Sequence, residues 1–274
     1  MGGPVPHLEA GISPMTMGRS TIWAASLLLL LGMPMAASAQ KLQPFSTAGD
    51  EALPQPWRIV GLPNGKTLTR LEVVSLNGER VLRLASDKSY GNALHELASV
   101  MPGPGSTLRW RWRLEQPLTA ADLKRKEGDD VAIKVCLLFD MPLEKLGLVD
   151  RSILRLARTM SSENLPAATL CYVWDHLLPA GSEFPNAYTQ RLRFVVLDSG
   201  EKQLGQWVTH ERDIAADFQR AFGHETDVMP PLIGVAVGAD SDNTRSTSLA
   251  YLGDLTLTIA PSAVNGPPPQ PVKQ

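Results

Sequence analysis

Residues 108–114 alternate strictly between apolar and basic side chains. The apolar positions are Leu108, Trp110, Trp112 and Leu114, and every position between them is an arginine. Successive side chains of a strand point to opposite faces of a sheet, so this pattern predicts a strand with one buried side and one solvent-facing side.

The same two-residue period recurs through most of the chain. Asn77 and Gly78 separate two alternating segments and form the strongest short hairpin signal. Helical periodicity appears at residues 146–160 and in a segment that begins at Asp213, a good N-cap, and ends at Gly223. We therefore predict a mainly β protein, an antiparallel β-sandwich of jelly-roll type with two short helices. The predicted strands are residues 67–76, 80–86, 92–100, 107–114, 131–139, 169–174, 190–197, 206–210, 232–239 and 248–259.

The first 39 residues have the pattern of a cleavable signal peptide. Arg19 precedes an apolar stretch at residues 22–31, and small residues that a signal peptidase accepts follow. We expect cleavage after Ala39 and a periplasmic protein, with Met15 or Met17 as the alternative start. The stretch is short for a membrane span of about 20 residues, so we expect no stable membrane anchor; an uncleaved anchor is the alternative. The small residues are Ala37, Ser38 and Ala39.

The rest of the chain divides into three predicted parts. Residues 40–56 form a loosely structured lead-in, residues 57–260 the sandwich domain, and residues 261–274 a proline-rich tail that we expect to be disordered. The 26 basic residues are nearly balanced by 28 acidic ones. Because a general nucleic-acid binder carries a basic excess, we expect no nucleic-acid partner.

Cys136 and Cys171 are the two cysteines of the chain, and each lies within a predicted strand. An oxidising compartment permits a disulfide between them. The alternative is that both are small buried apolar side chains. Their spacing does not match a metal site.

Short motifs follow one another in a fixed order along residues 45–259. They are Gly128-Asp129-Asp130, the run Leu-Cys-Tyr-Val-Trp at 170–174, residues 193–200, Trp207, Phe222-Gly223, and Asp-Ser-Asp-Asn-Thr at 240–244. In this order they resemble a bacterial family of exported proteins catalogued as domain of unknown function 3047. The resemblance implies a secreted β-sandwich, but it brings no established activity and no catalytic residue.

Six basic residues lie on strand faces that alternate with apolar rows. If these strands are neighbours in one sheet, the residues form a cationic surface, and arginine binds carboxylates and sulfates bidentately. The pattern therefore favours an anionic carbohydrate as ligand; the alternative is the solvated side of a half-buried sheet. The residues are Arg109, Arg111, Arg113, Lys134, Arg191 and Arg193.

Aromatic side chains supply flat faces on which sugar rings stack. Tyr188 and Trp207 border predicted loops, so both are candidates for ligand binding. Four others alternate with apolar neighbours, and we expect them in the core. These are Trp110, Trp112, Tyr172 and Trp174.

The acidic loop after residue 239 resembles the start of a calcium loop. Asp240 and Asp242 supply oxygen ligands at alternate positions, but Arg245 stands where an EF-hand needs glycine. A turn between two strands is the simpler interpretation. We expect no cofactor, with Ca²⁺ as the alternative.

Tyr188, His176 and Arg193 are the candidate catalytic residues. In a polysaccharide lyase, a histidine or tyrosine base works beside an arginine that neutralises a uronate carboxylate. A pair of carboxylates would instead serve a hydrolase. The sequence contains no nucleophile elbow, phosphate loop or zinc motif.

The predicted helix near residues 143–160 is amphipathic and basic. Such a helix lies on an anionic membrane surface or packs its apolar side on the domain, and the width of its apolar stripe favours packing. Taken together, the sequence predicts a periplasmic sandwich that binds a carbohydrate or another envelope ligand. The alternatives are an enzyme of the same fold, a lyase or hydrolase, and an envelope structural or interaction module.

Overall fold

The structure is a computed structural model that describes residues 1–3, 38–40, 42–49, 52–61, 65–160 and 165–260. The described strands are β1 (Ser38–Gln40), β2 (Arg58–Val60), β3 (Arg70–Leu76), β4 (Glu79–Asp87), β5 (Tyr90–Val100), β6 (Thr107–Gln116), β7 (Lys134–Phe139), β8 (Ala168–Asp175), β9 (Glu183–Pro185), β10 (Leu192–Ser199), β11 (Val208–Asp213), β12 (Leu232–Asp240), β13 (Thr247–Leu252) and β14 (Thr256–Ile259). The α-helices are α1 (Leu148–Met160) and α2 (Ile214–Phe222), and short 3-10 helices cover Phe45–Thr47, Lys126–Gly128 and Leu143–Lys145. The signal peptide and the tail at 261–274 lie outside the described residues, apart from residues 1–3, 38 and 39.

The strands form two seven-stranded sheets. Sheet 1 has the order β1-β14-β6-β13-β4-β3, and β11 pairs with the other edge of β6. Sheet 2 has the order β2-β5-β12-β7-β8-β10-β9. Among these pairs only β8 and β10 run parallel. The predicted antiparallel β-sandwich is confirmed.

Alternate side chains of β6 contribute to the core between the two sheets. Its apolar residues are buried and its arginines are turned away from the core. The ring of Trp110 lies 5.2 Å from that of Tyr172 in sheet 2, and the ring of Trp112 lies 6.4 Å from that of Trp174. All four rings are almost fully buried, as expected from the sequence.

Sheet 2 also carries an apolar layer on the face turned away from sheet 1. One row of this face crosses five strands in register, and the middle pair, Cys136 and Cys171, is joined as a disulfide. Leu123 and Val131, which precede β7, pack on the same layer, together with Phe184 of β9. The outer face of sheet 2 is therefore covered where these segments cross it. The row consists of Leu94, Ala236, Cys136, Cys171 and Phe194.

Helix α2 forms as its end signals predict. The Asp213 side chain accepts a hydrogen bond from the Ala216 amide at 2.9 Å, and the helix ends at Gly223. Phe218 is buried and packs 4.8 Å from the ring of Phe139.

Helix α1 contradicts the expectation that its apolar stripe packs on the domain. Val149, Ile153 and Leu156 are 61–72% exposed, whereas Leu154 on the other side is buried. The Arg151 guanidinium donates hydrogen bonds to three backbone carbonyl oxygens within residues 143–146, at 2.8 to 3.2 Å. These bonds turn the basic side of the helix toward the domain. Within the described ranges, no helix is long and apolar enough to span a bilayer.

Candidate functional site

A cavity of about 380 Å³ opens on the outer face of sheet 2, where β12 and β7 meet the covering loops. Three segments that are far apart in sequence supply its walls: residues 126–131, the loop after β9, and the loop after β12. Its lining is polar and aromatic. The lining residues are Lys66, Tyr90, Asp129, Lys134, Asn186, Tyr188, Leu192, Phe194, Asp240, Asp242 and Asn243.

Lys134 and Asp240 form a buried ion pair in this cavity, 3.0 Å from Nζ to Oδ1. Lys134 lies opposite Gly238 in the β7–β12 register, so Asp240, two residues later on β12, shares its face. The Asp240 Oδ1 atom also accepts from the Val131 amide at 3.0 Å, and the Lys134 ammonium lies 4.9 Å from the centre of the Tyr90 ring.

Burial and the attraction between the two charges act together on the pKa values of this pair. Burial raises the pKa of Asp240 to about 6, although Lys134 acts in the opposite direction. Burial also acts to lower the pKa of Lys134, but the attraction of Asp240 outweighs it and leaves that pKa above its ordinary value. Lys134 is therefore charged at neutral pH. Asp240 ionises at a higher pH than an ordinary aspartate does.

Gly238 provides room beside this pair. A Cβ atom there would overlap the Asn92 side-chain oxygen and lie 2.6 Å from the Gly91 carbonyl oxygen. The Asn92 amide instead occupies that space and donates to the Tyr90 hydroxyl at 3.0 Å. This bond holds the Tyr90 ring against the lysine.

Asp130 forms hydrogen bonds between two of the segments that line the cavity, the one before β7 and the loop after β12. Its carboxylate is buried and accepts from the backbone amides of Asn243 and Thr244 at 3.1 and 2.6 Å, and from the Thr244 hydroxyl at 2.5 Å. Asp242, in the same loop, pairs with Lys66. The loop after β12 is thus tied to the segment before β7.

Asp129 differs from the other acids of the cavity. Its Oδ2 atom accepts from the Asn186 amide at 2.6 Å, but its Oδ1 atom is buried and has no hydrogen-bond partner among the described residues. Burial raises the pKa of Asp129, and the bond from Asn186 only partly offsets this. A buried acceptor without a donor is unfavourable, and this oxygen is enclosed by protein atoms rather than exposed to the cavity.

Tyr188 forms the rim. The residue is 58% exposed, its hydroxyl donates to the Lys126 carbonyl at 2.9 Å, and the Lys126 ammonium lies 5.3 Å from the ring centre. Its amide donates to Asn186 Oδ1 at 2.9 Å. One sequence-predicted ligand residue, Tyr188, thus lies in the same cavity as another, Lys134.

The acidic residues do not suit a bound cation. Oxygen atoms of Asp130, Asp240 and Asp242 lie within 4.8 Å of one another. However, Asp130 is saturated by three protein donors, Asp240 holds Lys134, and Asp242 holds Lys66. Ca²⁺ needs six or more oxygen ligands, and these carboxylates already serve protein cations and amides.

The prediction that the six basic residues form one cationic surface is wrong. Three arginines belong to β6 in sheet 1, whereas Lys134, Arg191 and Arg193 belong to sheet 2 or its flank. Each of the three on β6 has a glutamate partner. The pairs are Arg109 with Glu211 at 4.0 Å, Arg111 with Glu79, and Arg113 with Glu115 at 2.5 Å.

Trp207 belongs to this opposite side of the molecule. The Arg111 guanidinium lies 4.6 Å from the centre of its ring. A shallow depression of about 220 Å³ lies beside them, lined by Arg109, Trp110, Arg111, Thr209, Asp254 and Thr256. Trp207 therefore does not share a cavity with Tyr188.

The three candidate catalytic residues, Tyr188, His176 and Arg193, do not form one site either. Arg193 projects from the core-side face of β10, where it and Arg191 bind Glu225 at 2.5 and 2.7 Å. Leu192 and Phe194, on the other face of β10, line the cavity with Tyr188. Among the described residues, no hydrogen bond, ion pair or ring contact joins His176 to Tyr188 or Arg193. Strand alternation places the arginine on the wrong side for the lyase arrangement.

Sequence reasoning did not select Tyr90, Asn186 or Lys66 as binding residues. One signal was present: Gly128-Asp129-Asp130 and the loop at 240–244 are both acidic and both border strands. Their mutual contact follows from the pairing of β7 with β12, which no local pattern specifies.

A family model described as "Protein of unknown function (DUF3047)" matches residues 55–256. The chain belongs to this family. The match confirms the resemblance carried by the sequence motifs. A search of curated proteins gave no match.

Solved structures of low identity also resemble the chain. The xyloglucanase domain of NopAA, a type three effector from Sinorhizobium fredii, in complex with cellobiose, is 9% identical with a TM-score of 0.43, over 74% of this chain and 93% of that one. Trichoderma harzianum endoglucanase 3 from family GH12 is 8% identical with a TM-score of 0.37, over 76% and 99%. The tandem CBM22 domains of Paenibacillus barcinonensis Xyn10C are 16% identical with a TM-score of 0.32, over 75% and 46%. Similarity at this level transfers no activity.

Proposed function

We propose that this DUF3047 protein binds a carbohydrate in the cavity on the outer face of sheet 2. The observation that carries the proposal is the lining of the cavity, which combines the exposed Tyr188 at the rim with amide, carboxylate and ammonium groups. Sugar hydroxyls supply donors and acceptors together, and the volume lies within the range of small-molecule sites, about 300–1,000 Å³.

The charges in the cavity argue against the anionic ligand that the sequence favours. The arginines on which that expectation rested are paired with carboxylates away from the cavity. Three lining carboxylates, those of Asp129, Asp240 and Asp242, face two lysines, so a uronate or sulfate would meet repulsion. The proposal is accordingly a ligand without negative charge.

Titration calorimetry with neutral, cationic and anionic oligosaccharides tests the proposal. We expect binding that weakens by about tenfold or more in Asn186→Ala, because that change removes both the amide bonded to Asp129 and the carbonyl oxygen bonded to Tyr188. Trp207→Ala is the control, since Trp207 lies on the outer face of sheet 1. Failure of every oligosaccharide to bind would reject the proposal.

A second candidate is hydrolysis at the same cavity. Burial raises the pKa values of two carboxyl groups of the cavity, Asp129 and Asp240, and a raised pKa is what the general acid of a glycoside hydrolase requires. Reducing-end release from a bound oligosaccharide that is lost in Asp129→Asn and in Asp240→Asn, with both variants shown to be folded, would support it. An intact oligosaccharide after prolonged incubation would exclude it for that ligand.

We also propose that the protein is exported to the periplasm. The support is the signal-peptide pattern that ends at Ala39. N-terminal sequencing of the protein from an envelope fraction should read Gln40 first. Retention of residues 15–39 in that fraction would contradict the proposal.

A further inference from the structure

Helix α1 turns an apolar side to solvent. Its exposed apolar residues follow the spacing that places side chains on one side of a helix, while Leu154 on the opposite side is buried. Single exposed apolar side chains are ordinary on a protein surface, but a contiguous group marks an interaction site. The exposed residues are Leu148, Val149, Ile153 and Leu156, at 61–78%.

Two further exposed apolar residues lie at the same end of sheet 2. Leu232, the first residue of β12, pairs with Val100 and Phe139, the last residues of β5 and β7. Met101 follows β5 directly, Val228 precedes β12, and α1 lies in the connection after β7. Met101 is 45% exposed and Val228 is 65% exposed. Three connections therefore present apolar side chains at one end of the domain.

Cations accompany the apolar side of α1. Residues 143–160 contain four basic and two acidic residues. Lys145 and Arg155 are exposed, and neither forms an ion pair within the described part of the chain. Of the two acids, Asp150 pairs with Arg191 at 3.4 Å, and Glu144 is exposed. The segment thus combines an apolar surface with a positive excess.

A lipid surface fits this combination better than a second protein chain does. A stable protein interface buries about 800 Å² on each partner, which is more than the exposed side of one short helix supplies. The boundary between headgroups and acyl chains takes up the apolar side of a single helix, and anionic headgroups attract the cations beside it. Neither interaction requires a larger patch.

We propose that the α1 end of sheet 2 docks on an anionic lipid surface, with the exposed side of α1 at the headgroup boundary and with Lys145 and Arg155 beside the lipid phosphates. The cavity lies at the other end of the same strands, since Lys134 begins β7 and Asp240 ends β12. Docking through α1 therefore turns the cavity away from the lipid. The inference concerns a separate surface and does not depend on the proposed ligand.

Co-sedimentation of the full chain with vesicles tests the proposal, with equal parts phosphatidylcholine and phosphatidylglycerol as the anionic surface and phosphatidylcholine alone as the neutral one. Ile153→Gln should weaken binding to anionic vesicles by about fivefold or more, because it removes an inserted apolar side chain. Arg155→Gln should weaken it by about fivefold and leave binding to neutral vesicles unchanged. Leu177→Gln is the matched control and should bind as the wild type does. Leu177 is 58% exposed, but it follows β8 at the cavity end, where Val173 pairs with Lys134.

A fluorescent probe locates the contact. The apolar residues 22–31 are present in every variant, so their own contribution to co-sedimentation is the same throughout. Cys136 and Cys171 are joined as a disulfide, which leaves an introduced thiol as the site of labelling. An environment-sensitive dye on Ile153→Cys should brighten and shift to shorter wavelength with anionic vesicles, whereas the same dye on Leu177→Cys should not change.

Two results would overturn the inference. The first is equal binding of Ile153→Gln and the wild type, or an unchanged spectrum of the dye at position 153. The second is a dimer in sedimentation velocity that dissociates in Ile153→Gln, which would assign the exposed side of α1 to a second copy of the chain. Either result leaves the carbohydrate proposal intact.

Discussion

Lys134 and Asp240 extend from neighbouring antiparallel strands onto the same face of sheet 2 and join at 3.0 Å, with side chains only 8% and 10% exposed. Two charges removed from water in this way depend on each other. Removing one leaves the other uncompensated in a site that water barely reaches.

Asp240→Asn should therefore lower the free energy of unfolding by about 3–5 kcal/mol, since it leaves the Lys134 ammonium buried without an anion. Denaturant unfolding at pH 7 measures this. Glu211→Gln is the matched control, because the Arg109–Glu211 pair is exposed and 4.0 Å apart; its change should stay below about 1 kcal/mol. Similar losses of stability in the two variants would show that the buried pair contributes no more to stability than the exposed pair does.

Asp217 should make stability depend on acid pH. It accepts hydrogen bonds from Tyr172 at 2.7 Å and from Arg212 at 2.8 Å. Burial acts to raise its pKa, but the bonds from Arg212 and Tyr172 outweigh it, so the pKa lies below the ordinary 3.8. A depressed acid contributes stability that is complete above 3.8 and is lost as the pH falls through the lower, folded-state value.

Asp217→Asn should thus be less stable than the wild type at pH 6, by roughly 2 kcal/mol or more. The difference should shrink as the pH falls below 3.8. Unfolding curves collected across this range give the comparison. A difference that stays constant down to pH 2 would contradict the assigned role.

The disulfide between Cys136 and Cys171 closes a loop with a sequence separation of 35 residues. Replacing both cysteines with alanine should lower the free energy of unfolding by about 4 kcal/mol in the chain-entropy model. A reducing agent should lower the melting temperature of the wild type and leave that of the double variant unchanged. An unaffected wild type would mean that the two thiols are not joined in solution.

Helix α1 gives a prediction on adjacent residues. Leu154→Ala should destabilise the protein by about 2 kcal/mol or more, because Leu154 is buried. Ile153→Ala should change stability by less than about 0.5 kcal/mol, because Ile153 is 61% exposed. The opposite ranking in thermal unfolding would mean that the sequence-based orientation of the helix was right.

Local signals were sufficient for the elements that carry them. The Asn77-Gly78 turn forms with positive φ at both residues, as a tight hairpin turn requires, and α2 starts and stops at its cap residues. The predicted strand at 248–259 is instead two strands, β13 and β14. The Gly253 amide donates to the Arg111 carbonyl at 2.9 Å between them, a tertiary contact that no alternation reveals.

The candidate site required information that local patterns do not contain. Its residues come from segments separated by more than 50 positions, as in the bond from Asn186 to Asp129. Alternation correctly placed the arginines of β6 on an outer face, but it could not assign β6 and β7 to different sheets. The orientation of α1 depended on carbonyl groups outside the helix, which Arg151 binds.

Gly238 has a consequence for comparing members of this family. Because its hydrogen atom stands where any side chain would displace Asn92, a relative with a larger residue at the equivalent position cannot keep Tyr90 against the lysine in the same way. Such a substitution would mark divergence of the cavity within a shared scaffold. Position 238 thus offers a single-residue criterion for sorting homologous sequences into those that retain this pocket architecture and those that retain only the sandwich.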